Sequence, residues 1–464
     1  MSATNLQNFS GDVQIRGTTF IKANTNTNNV AIGTVSGETA QGVNTVAVGV
    51  GAGRTSQGTS AVAVGDNAGL TVQGNYTVAV GRVAGQTSQG TSAVAVGTAA
   101  GQTSQGARAT AVGYVSGYSE QGIHAVAVGT SSGMTSQGTY ATAMGNQAGN
   151  VKQGASATAV GAYAGQTSQG ARATAVGYVS GNSEQGIDTV AVGTSSGMTS
   201  QGASTVAVGF KAGFSEQGAQ AIAMGRLTGT TSQGANAVAL GYAAGNSEQG
   251  TSTAAVGYQA GQTSQGANAV AVGYLAGQSN QHTTCVAIGY QAGRNGQQNT
   301  AVAVGYVAGE VNQQTGATAV GAYTGLNNQG DNSVAIGMEA GRNGQASEAI
   351  AIGRLAATSA QGYRCVAIGH GAGRYNQDDY SIVFCTTANR PSRGTYTCSI
   401  EPIRNTGPVS YNSTNKELYA NSSDDRVKHN ESYIKNALQT IMKLKPQTYD
   451  KTYNLESNAY IEHQ

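Results

Sequence analysis

A repeat of sixteen residues runs through most of this chain and limits what it can fold into. Each copy has an apolar-Ala-apolar-Gly segment, then a small residue followed by glycine, then a polar run that ends in Gln-Gly. The glycine of the first segment recurs from Gly33 to Gly369, so (369 − 33)/16 = 21 intervals give 22 copies without insertion or deletion. A fixed period of this length is typical of a solenoid, in which each copy forms one structural turn.

The pattern within one copy predicts short strands. Val46 and Val48 are two residues apart, so a strand places them on one face and Ala47 on the other. No apolar period of 3.6 residues occurs in the repeat, which argues against helices. Gly53 and Gly58 stand where the chain must turn. We therefore predict an all-β fold, a parallel β-solenoid (β-roll) of 22 coils with two strands and two corners in each coil.

Glutamine occupies position 41 and every sixteenth position up to 377, in all 22 copies. Residues at the same register of stacked coils form a column, and glutamine amides in a column can hydrogen-bond along the stack, as in cross-β ladders. We predict a structural ladder that includes Gln57, Gln73 and Gln89. A ligand-binding array of glutamines is the alternative, but no charged or aromatic residue is fixed beside them.

A single coil of this composition buries little apolar surface. Even with two valines and two alanines per coil counted as buried, hydrophobic burial and hydrogen bonds fall short of the conformational entropy lost by sixteen residues. Burial of one face against sister chains would close the difference, so we predict an oligomer. The stack would be roughly 105 Å long at ~4.8 Å per coil.

The position after the strand glycine holds tyrosine in five successive coils. A tyrosine offers an apolar ring face and a polar hydroxyl, so a column of them could contact a sugar. The alternative is self-stacking that stiffens the solenoid. The candidate contacts with a host cell-surface glycan or receptor are Tyr242, Tyr258, Tyr274, Tyr290 and Tyr306.

Composition excludes several classes of function. A net charge of +2 gives no reason to expect nucleic acid or an anionic membrane as a partner. No apolar run is long enough to span a bilayer, and the N-terminus does not resemble a signal peptide. The histidines lack metal-binding spacing and no pair of carboxylates recurs, so we expect no cofactor and no enzyme acting on an external substrate. Cys285 and Cys365 are five coils apart and cannot form a disulfide within one chain.

Two segments resemble a known family. Asn-Thr-Val-Ala-Val-Gly at residues 44–49 and Asn-Ser-Val-Ala-Ile-Gly at residues 332–337 are similar to the head repeats of trimeric autotransporter adhesins (YadA-like). The resemblance covers about three-quarters of the chain, and it implies a homotrimer of left-handed parallel β-rolls that serves attachment. The period here is slightly longer than in that family.

The chain divides into four parts by pattern. Residues 1–28 lack the repeat and are predicted to cap the first coil or to attach to a partner on the virion, with short strands at 13–15 and 20–21. Residues 29–377 form the β-roll shaft. Residues 378–422 are predicted to form a β-rich neck, with strands at 381–384 and 396–400 and a hairpin over 409–418.

Residues 423–464 change character again. Ile434, Ala437, Leu438 and Ile441 lie at helical spacing, and Pro446 ends the predicted helix. The preceding string Ser-Asp-Asp-Arg-Val-Lys at 423–428 resembles the entry to the self-cleaving intramolecular chaperone of phage endosialidases and related viral tail fibres. In that family the domain trimerises, guides folding of the shaft, and cuts itself off after the serine.

The resemblance makes Ser423 the nucleophile of self-cleavage and Lys428 its base. The chemistry is reasonable because serine needs a base, and a desolvated lysine can act as one. The alternative is a helix N-terminus that the serine merely caps. Since 464 − 423 = 41 residues follow the serine and the family domain is longer, this copy is expected to be only the start of that domain.

Together these features predict a structural fibre of a virus, located at the virion surface, that mediates host attachment as a homotrimer. Three alternatives remain open at this stage. They are a bacterial trimeric surface adhesin, a polysaccharide-degrading tailspike, and an ice-binding solenoid.

Overall fold

A computed structural model describes the backbone of residues 13–15, 18–24, 27–384, 398–400, 409–412 and 417–420, and the side chains of residues 27–384. The described part is all-β, and its stacked coils form a parallel β-solenoid, which confirms the predicted fold class. The described residues contain no helix, so none that could cross a membrane. The helix predicted around Ile434 lies outside the described residues.

Each coil contributes one strand to each of two parallel sheets, as predicted. Val46 pairs with Val62 in the first sheet, called here the Val-Ala sheet, and Gln105 pairs with Gln121 in the second, called the Gln sheet. The strands of the Val-Ala sheet within the repeat are Asn29–Ile32, Val46–Val48, Val62–Val64, Val78–Val80, Val94–Val96, Thr110–Val112, Val126–Val128, Thr142–Met144, Thr158–Val160, Thr174–Val176, Val190–Val192, Val206–Val208, Ile222–Met224, Val238–Leu240, Ala254–Val256, Val270–Val272, Val286–Ile288, Val302–Val304, Thr318–Val320, Val334–Ile336, Ile350–Ile352 and Val366–Ile368.

The Gln sheet runs along the opposite side of the coils. Its strands are Thr39–Gln41, Thr55–Gln57, Thr87–Gln89, Thr103–Gln105, Ser119–Gln121, Thr135–Gln137, Val151–Gln153, Thr167–Gln169, Ser183–Gln185, Thr199–Gln201, Ser215–Gln217, Thr231–Gln233, Ser247–Gln249, Thr263–Gln265, Ser279–Gln281, Val311–Gln313, Asn327–Gln329, Asn343–Gln345, Ser359–Gln361 and Tyr375–Gln377. Isolated bridges at Gln73 and Asn295 carry the sheet through the two remaining coils.

Extra strands extend the Val-Ala sheet at both ends. Before the repeat, Thr18–Asn24 lies antiparallel to the first strand, and Val13–Ile15 pairs with it in turn. After the repeat, Ile382–Phe384 continues the parallel register from Val366–Ile368. The sheet therefore runs past residue 377, where the repeat was predicted to end.

Two further pairings complete this C-terminal extension. Cys398–Ile400 lies parallel to the last solenoid strand and antiparallel to Val409–Asn412. Val409–Asn412 also pairs antiparallel with Glu417–Ala420, at the place of the predicted hairpin. Strands that cover the end of a solenoid sheet satisfy backbone groups that would otherwise be left open.

Alanine rather than valine fills the interior of each coil. Ala47, Ala52 and Ala61 are at most 1% exposed, whereas Val46 and Val48 are only half-buried and lie on the outer face of the Val-Ala sheet. Counting the valines as buried within a lone coil was therefore wrong. Alanine and the inward-facing glutamine together fill this interior, since a Cβ added at Gly85 would lie 2.9 Å from Gln89 Oε1 and 3.2 Å from the Ala79 Cβ.

The strand glycine is required by contact between coils. Gly257 has φ +132°, and a Cβ at this position would lie within 2.3 Å of the carbonyl oxygen of Gly273 in the next coil. Any side chain would force the two coils apart. The same close approach explains why the position is glycine in all 22 copies.

The middle residue of each Gln-sheet strand has left-handed backbone geometry. Ser264, for example, has φ +52° between Thr263 and Gln265. This kink turns the glutamine side chain inward, where Gln265 is 1% exposed, while Ser264 stays at the surface. Serine, glutamate, lysine and asparagine all occur at this position, so the residue type does not predict this conformation.

Candidate functional surfaces

The inward-facing glutamines form hydrogen bonds both within and between coils. Gln105 Nε2 donates to the carbonyl of Val94 at 2.8 Å, to that of Ala109 at 3.4 Å, and to Oε1 of Gln121 at 3.1 Å. Each amide therefore ties the two sheets of its own coil together and also contacts the next coil. Because these side chains are buried, the column presents no surface to a ligand.

The amide-to-amide bonds run in one direction and form several unbroken runs. Those runs are Gln73 to Gln169, Gln201 to Gln233, Gln249 to Gln345, and Gln361 to Gln377. Of the residues predicted from sequence, the structure links Gln73 to Gln89 at 3.0 Å. Gln57 instead donates to the carbonyls of Val46 and Ala61, and its Oε1 accepts no hydrogen bond from the described chain.

One interruption of this ladder coincides with a change of residue. The glycine four residues before each glutamine makes room for the amide, because a Cβ at Gly245 would lie 2.6 Å from Gln249 Oε1. Ala357 takes the place of that glycine in one coil, and Gln361 Oε1 in the same coil lacks a donor among the described residues. The remaining interruptions have glycine at this position, and nothing in the structure explains them.

The structure brings the five predicted tyrosines together in one column, called here the tyrosine ridge. Successive rings from Tyr242 to Tyr306 have centroids 5.0–5.1 Å apart and are within 13° of parallel. Tyr258, Tyr274 and Tyr290 therefore have both ring faces covered by neighbours. Their edges and hydroxyls remain at the surface, with 41–43% of each residue exposed.

Both ends of the ridge are also covered. The guanidinium of Arg226 lies 5.6 Å from the centroid of the Tyr242 ring, and Tyr323 meets Tyr306 edge-on at 5.2 Å. Interaction with Tyr323, chiefly through a hydrogen bond, raises the pKa of Tyr306 above its usual value. A sugar could therefore reach ring edges and hydroxyls here, but not the faces on which sugars stack.

An apolar strip covers the outer face of the Val-Ala sheet. It consists of the two residues on either side of the buried middle residue of each strand, such as Val46 and Val48 beside Ala47, and most positions hold valine, isoleucine, leucine or methionine. Its most exposed members are Val30, Met144, Met224, Leu240, Ile288, Ile336 and Phe384. Two corners border the strip. The first corner follows the strand glycine and carries the tyrosine ridge, and the second follows the Gln-Gly pair.

The outer face of the Gln sheet is polar. Glu184, Glu216 and Glu248 stand two coils apart, and each accepts a hydrogen bond from the serine of the next coil, as Ser232 donates to Glu216 at 2.8 Å. A shallow depression over this region is lined by one carboxylate, that of Glu216. The described residues contain no cluster that could hold a metal ion.

The cysteines inside the repeat are free thiols. Cys285 and Cys365 are buried at the second corner, and each thiol donates to a backbone carbonyl of the following coil at 2.7 Å. Burial raises the pKa of the Cys285 thiol, which keeps it protonated. Cys385, Ser423 and Lys428 lie outside the residues whose side chains are described.

Searches against protein-family models, curated proteins and solved structures found no match for this chain.

Proposed function

We propose that this chain forms the shaft of a homotrimeric viral tail or surface fibre that carries host attachment away from the virion. The observation that supports this proposal is the apolar strip along a solenoid of 22 coils, in which the residue before the strand glycine is valine, isoleucine, leucine or methionine in every coil. A rod with one exposed apolar face is suited to association with copies of itself. The number three is the one that the YadA-like resemblance implies.

The size of the strip argues for a permanent partner. At ~4.8 Å per coil and two outward residues about 7 Å apart in each strand, the strip is roughly 105 Å long and about 10 Å wide. It presents on the order of 1,000 Å² of mostly apolar surface, more than the few hundred Å² that a monomer usually exposes. That area also exceeds the roughly 800 Å² that each partner contributes to a standard interface.

The ends of the rod have separate roles in this proposal. Residues 1–28 attach to the virion or cap the shaft, and residues 423–464 begin a chaperone that trimerises the chain and is removed by cleavage after Ser423, with Lys428 as the base. Both roles follow from pattern and resemblance. Changing Lys428 to alanine in a chain with a complete chaperone domain should leave a single uncut band on a denaturing gel.

Two observations favour a fibre over the alternatives from other classes. A tailspike that cleaves polysaccharide needs two carboxylates in one cleft, and the depression over Glu216 is lined by one. An ice-binding face needs a regular array of free threonines, but Thr103 and Thr263 donate their hydroxyls to backbone carbonyls of the next coil. A bacterial surface adhesin would share the trimeric shaft and differ in its membrane anchor.

The deciding experiment is the mass of the native protein by light scattering, with a denaturing gel beside it. A trimer of three times 46.4 kDa is expected. A stable monomer at micromolar concentration would contradict the proposal, because the apolar strip would then stay in water. Assays for polysaccharide cleavage and for thermal hysteresis on the same sample would reveal the tailspike or the ice-binding protein.

A further inference from the structure

The tyrosine ridge leaves ring edges without cover in a single chain. Its ring faces are already used within the chain, by neighbouring tyrosines and by Arg226 at one end. By contrast Tyr114 and Tyr178, at the same position of other coils, are 60% and 58% exposed. Close stacking of the five rings thus leaves a continuous row of ring edges and hydroxyls at the surface. Such a row can be covered by a surface that packs closely against the ring edges and hydrogen-bonds to the hydroxyls.

The second corner provides a polar surface at the same height along the rod. In the coils that carry the ridge, one position of this corner is small and mostly polar, and longer polar side chains of His282, Gln298 and Gln314 stand two residues before it in three coils. The small residues are Ser252, Asn268, Thr284, Thr300 and Gly316. Farther toward the N-terminus the pattern reverses, since the first corner is small at Thr130 and Asn146 where the second corner carries the stacked pair His124 and Tyr140.

The geometry of a parallel assembly brings these two corners together. They lie at opposite edges of the Val-Ala sheet, with the apolar strip between them. When copies related by rotation about the long axis of the rod turn their strips inward, the first corner of one copy faces the second corner of the next. Such an interface is heterologous and closes into a ring.

We infer that the tyrosine ridge packs against the second corner of the adjacent copy of this chain and forms the outer seam of the assembly. The inference rests on the proposed oligomer and adds which surfaces meet and in which relative direction the copies run. It assigns the ridge to a partner of the same sequence and not to a host glycan. Tyrosine suits a seam because it is apolar over its ring and hydrogen-bonds at its tip.

Engineered disulfides test the seam. One variant carries Tyr274→Cys with Asn268→Cys, and another carries Tyr274→Cys with Thr284→Cys, to allow for the rise of the coil. Within one chain Asn268 and Tyr274 lie on either side of the strand Val270–Val272, whose three residues alone span about 10 Å, too far for a disulfide. We expect oxidation of at least one variant to convert most of the protein into covalent dimers and trimers on a non-reducing gel, and reductant to reverse the shift.

The matched control is Tyr274→Cys with Ser264→Cys, which places the second thiol on the outer face of the Gln sheet. It should give no covalent product, and neither should the unmodified chain with its native thiols. If the variants are trimers by light scattering but neither pair cross-links, the seam is wrong while the proposed function stands. If they and the unmodified chain are monomers, both the seam and the proposed function are wrong.

Changing Tyr258, Tyr274 and Tyr290 to serine supplies the second measurement. Loss of host-glycan binding with an unchanged trimer melting temperature would overturn the seam in favour of a receptor site.

Discussion

The buried glutamine column gives the sharpest prediction about stability. Changing Gln265 to alanine removes donated bonds to the carbonyls of Ala254 and Ala269 and to Gln281 Oε1, at 3.1–3.3 Å, and one accepted from Gln249 at 3.2 Å. The two N–H groups of this amide are shared among its three acceptors, so the loss counts as two donated bonds and one accepted bond at about 1 kcal/mol each. With about 1–3 kcal/mol for leaving Gln281 Oε1 buried without a donor, the total is roughly 4–6 kcal/mol. The matched control is Gln262→Ala, a half-buried glutamine of the same coil whose amide oxygen accepts one bond, from Gln278.

Hydrogen exchange is the right assay, because a long repeat protein opens locally and does not unfold in one step. We expect amides in residues 249–281 of the Gln265→Ala variant to exchange about a thousandfold faster or more, since each 1.4 kcal/mol is a factor of ten. The Gln262→Ala variant should change stability by less than about 0.5 kcal/mol. Equal exchange rates in the two variants would refute the argument that the amide column holds the coils together.

Three further predictions concern the glutamine ladder, the apolar strip and the ion pair between Arg172 and Asp188. Ala357→Gly should raise protection around Gln361 by about 1 kcal/mol, because Ala357 has φ +45°, a backbone conformation that favours glycine, and a drop in protection would contradict this. Changing Val80, Val96 and Val112, which lie in three adjacent coils of the strip, to aspartate should lower the melting temperature of the assembly. Ser88→Asp on the Gln sheet should not lower it. Equal melting temperatures would argue against burial of the strip. A hydrogen bond from Arg172 lowers the pKa of Asp188, so its stabilising contribution is present above the pKa of an unfolded aspartate and is lost as the pH falls through the folded value. Asp188→Asn should thus melt below the wild type at pH 7 but not at strongly acid pH, and a difference that persists in acid would point to another cause.

Much of the fold could be predicted because a perfect period determines which residues stack. The number of coils, the two strands per coil and the two corners all followed from the spacing of glycine and glutamine. The alternation of valine and alanine along a strand does not determine which face points inward, since both residues are apolar. The sequence nonetheless carried the signal: the position of Ala47 is alanine in all 22 copies, while its neighbours vary in size.

The candidate surfaces were harder to predict for a physical reason. Stacking of the tyrosines follows from their register, but the loss of their ring faces to one another depends on side-chain orientation, which spacing does not specify. The left-handed residue at Ser264 had no signal, because polar residues of several kinds occupy that position. The carbonyl partners of Gln57 depend on how closely the two sheets approach, which only the packed interior sets.

Because each coil contacts its neighbours in the same way, the number of repeat copies determines the length of the rod. Residues 105–122 and 169–186 are identical except for Tyr118 and Asn182, and they begin 64 residues, or four coils, apart. Because strands of each coil pair only with the coils on either side, unequal recombination between such segments would add or remove whole coils and leave every column in register. The reach of the protein could then lengthen or shorten in steps of ~4.8 Å without any change to its cross-section.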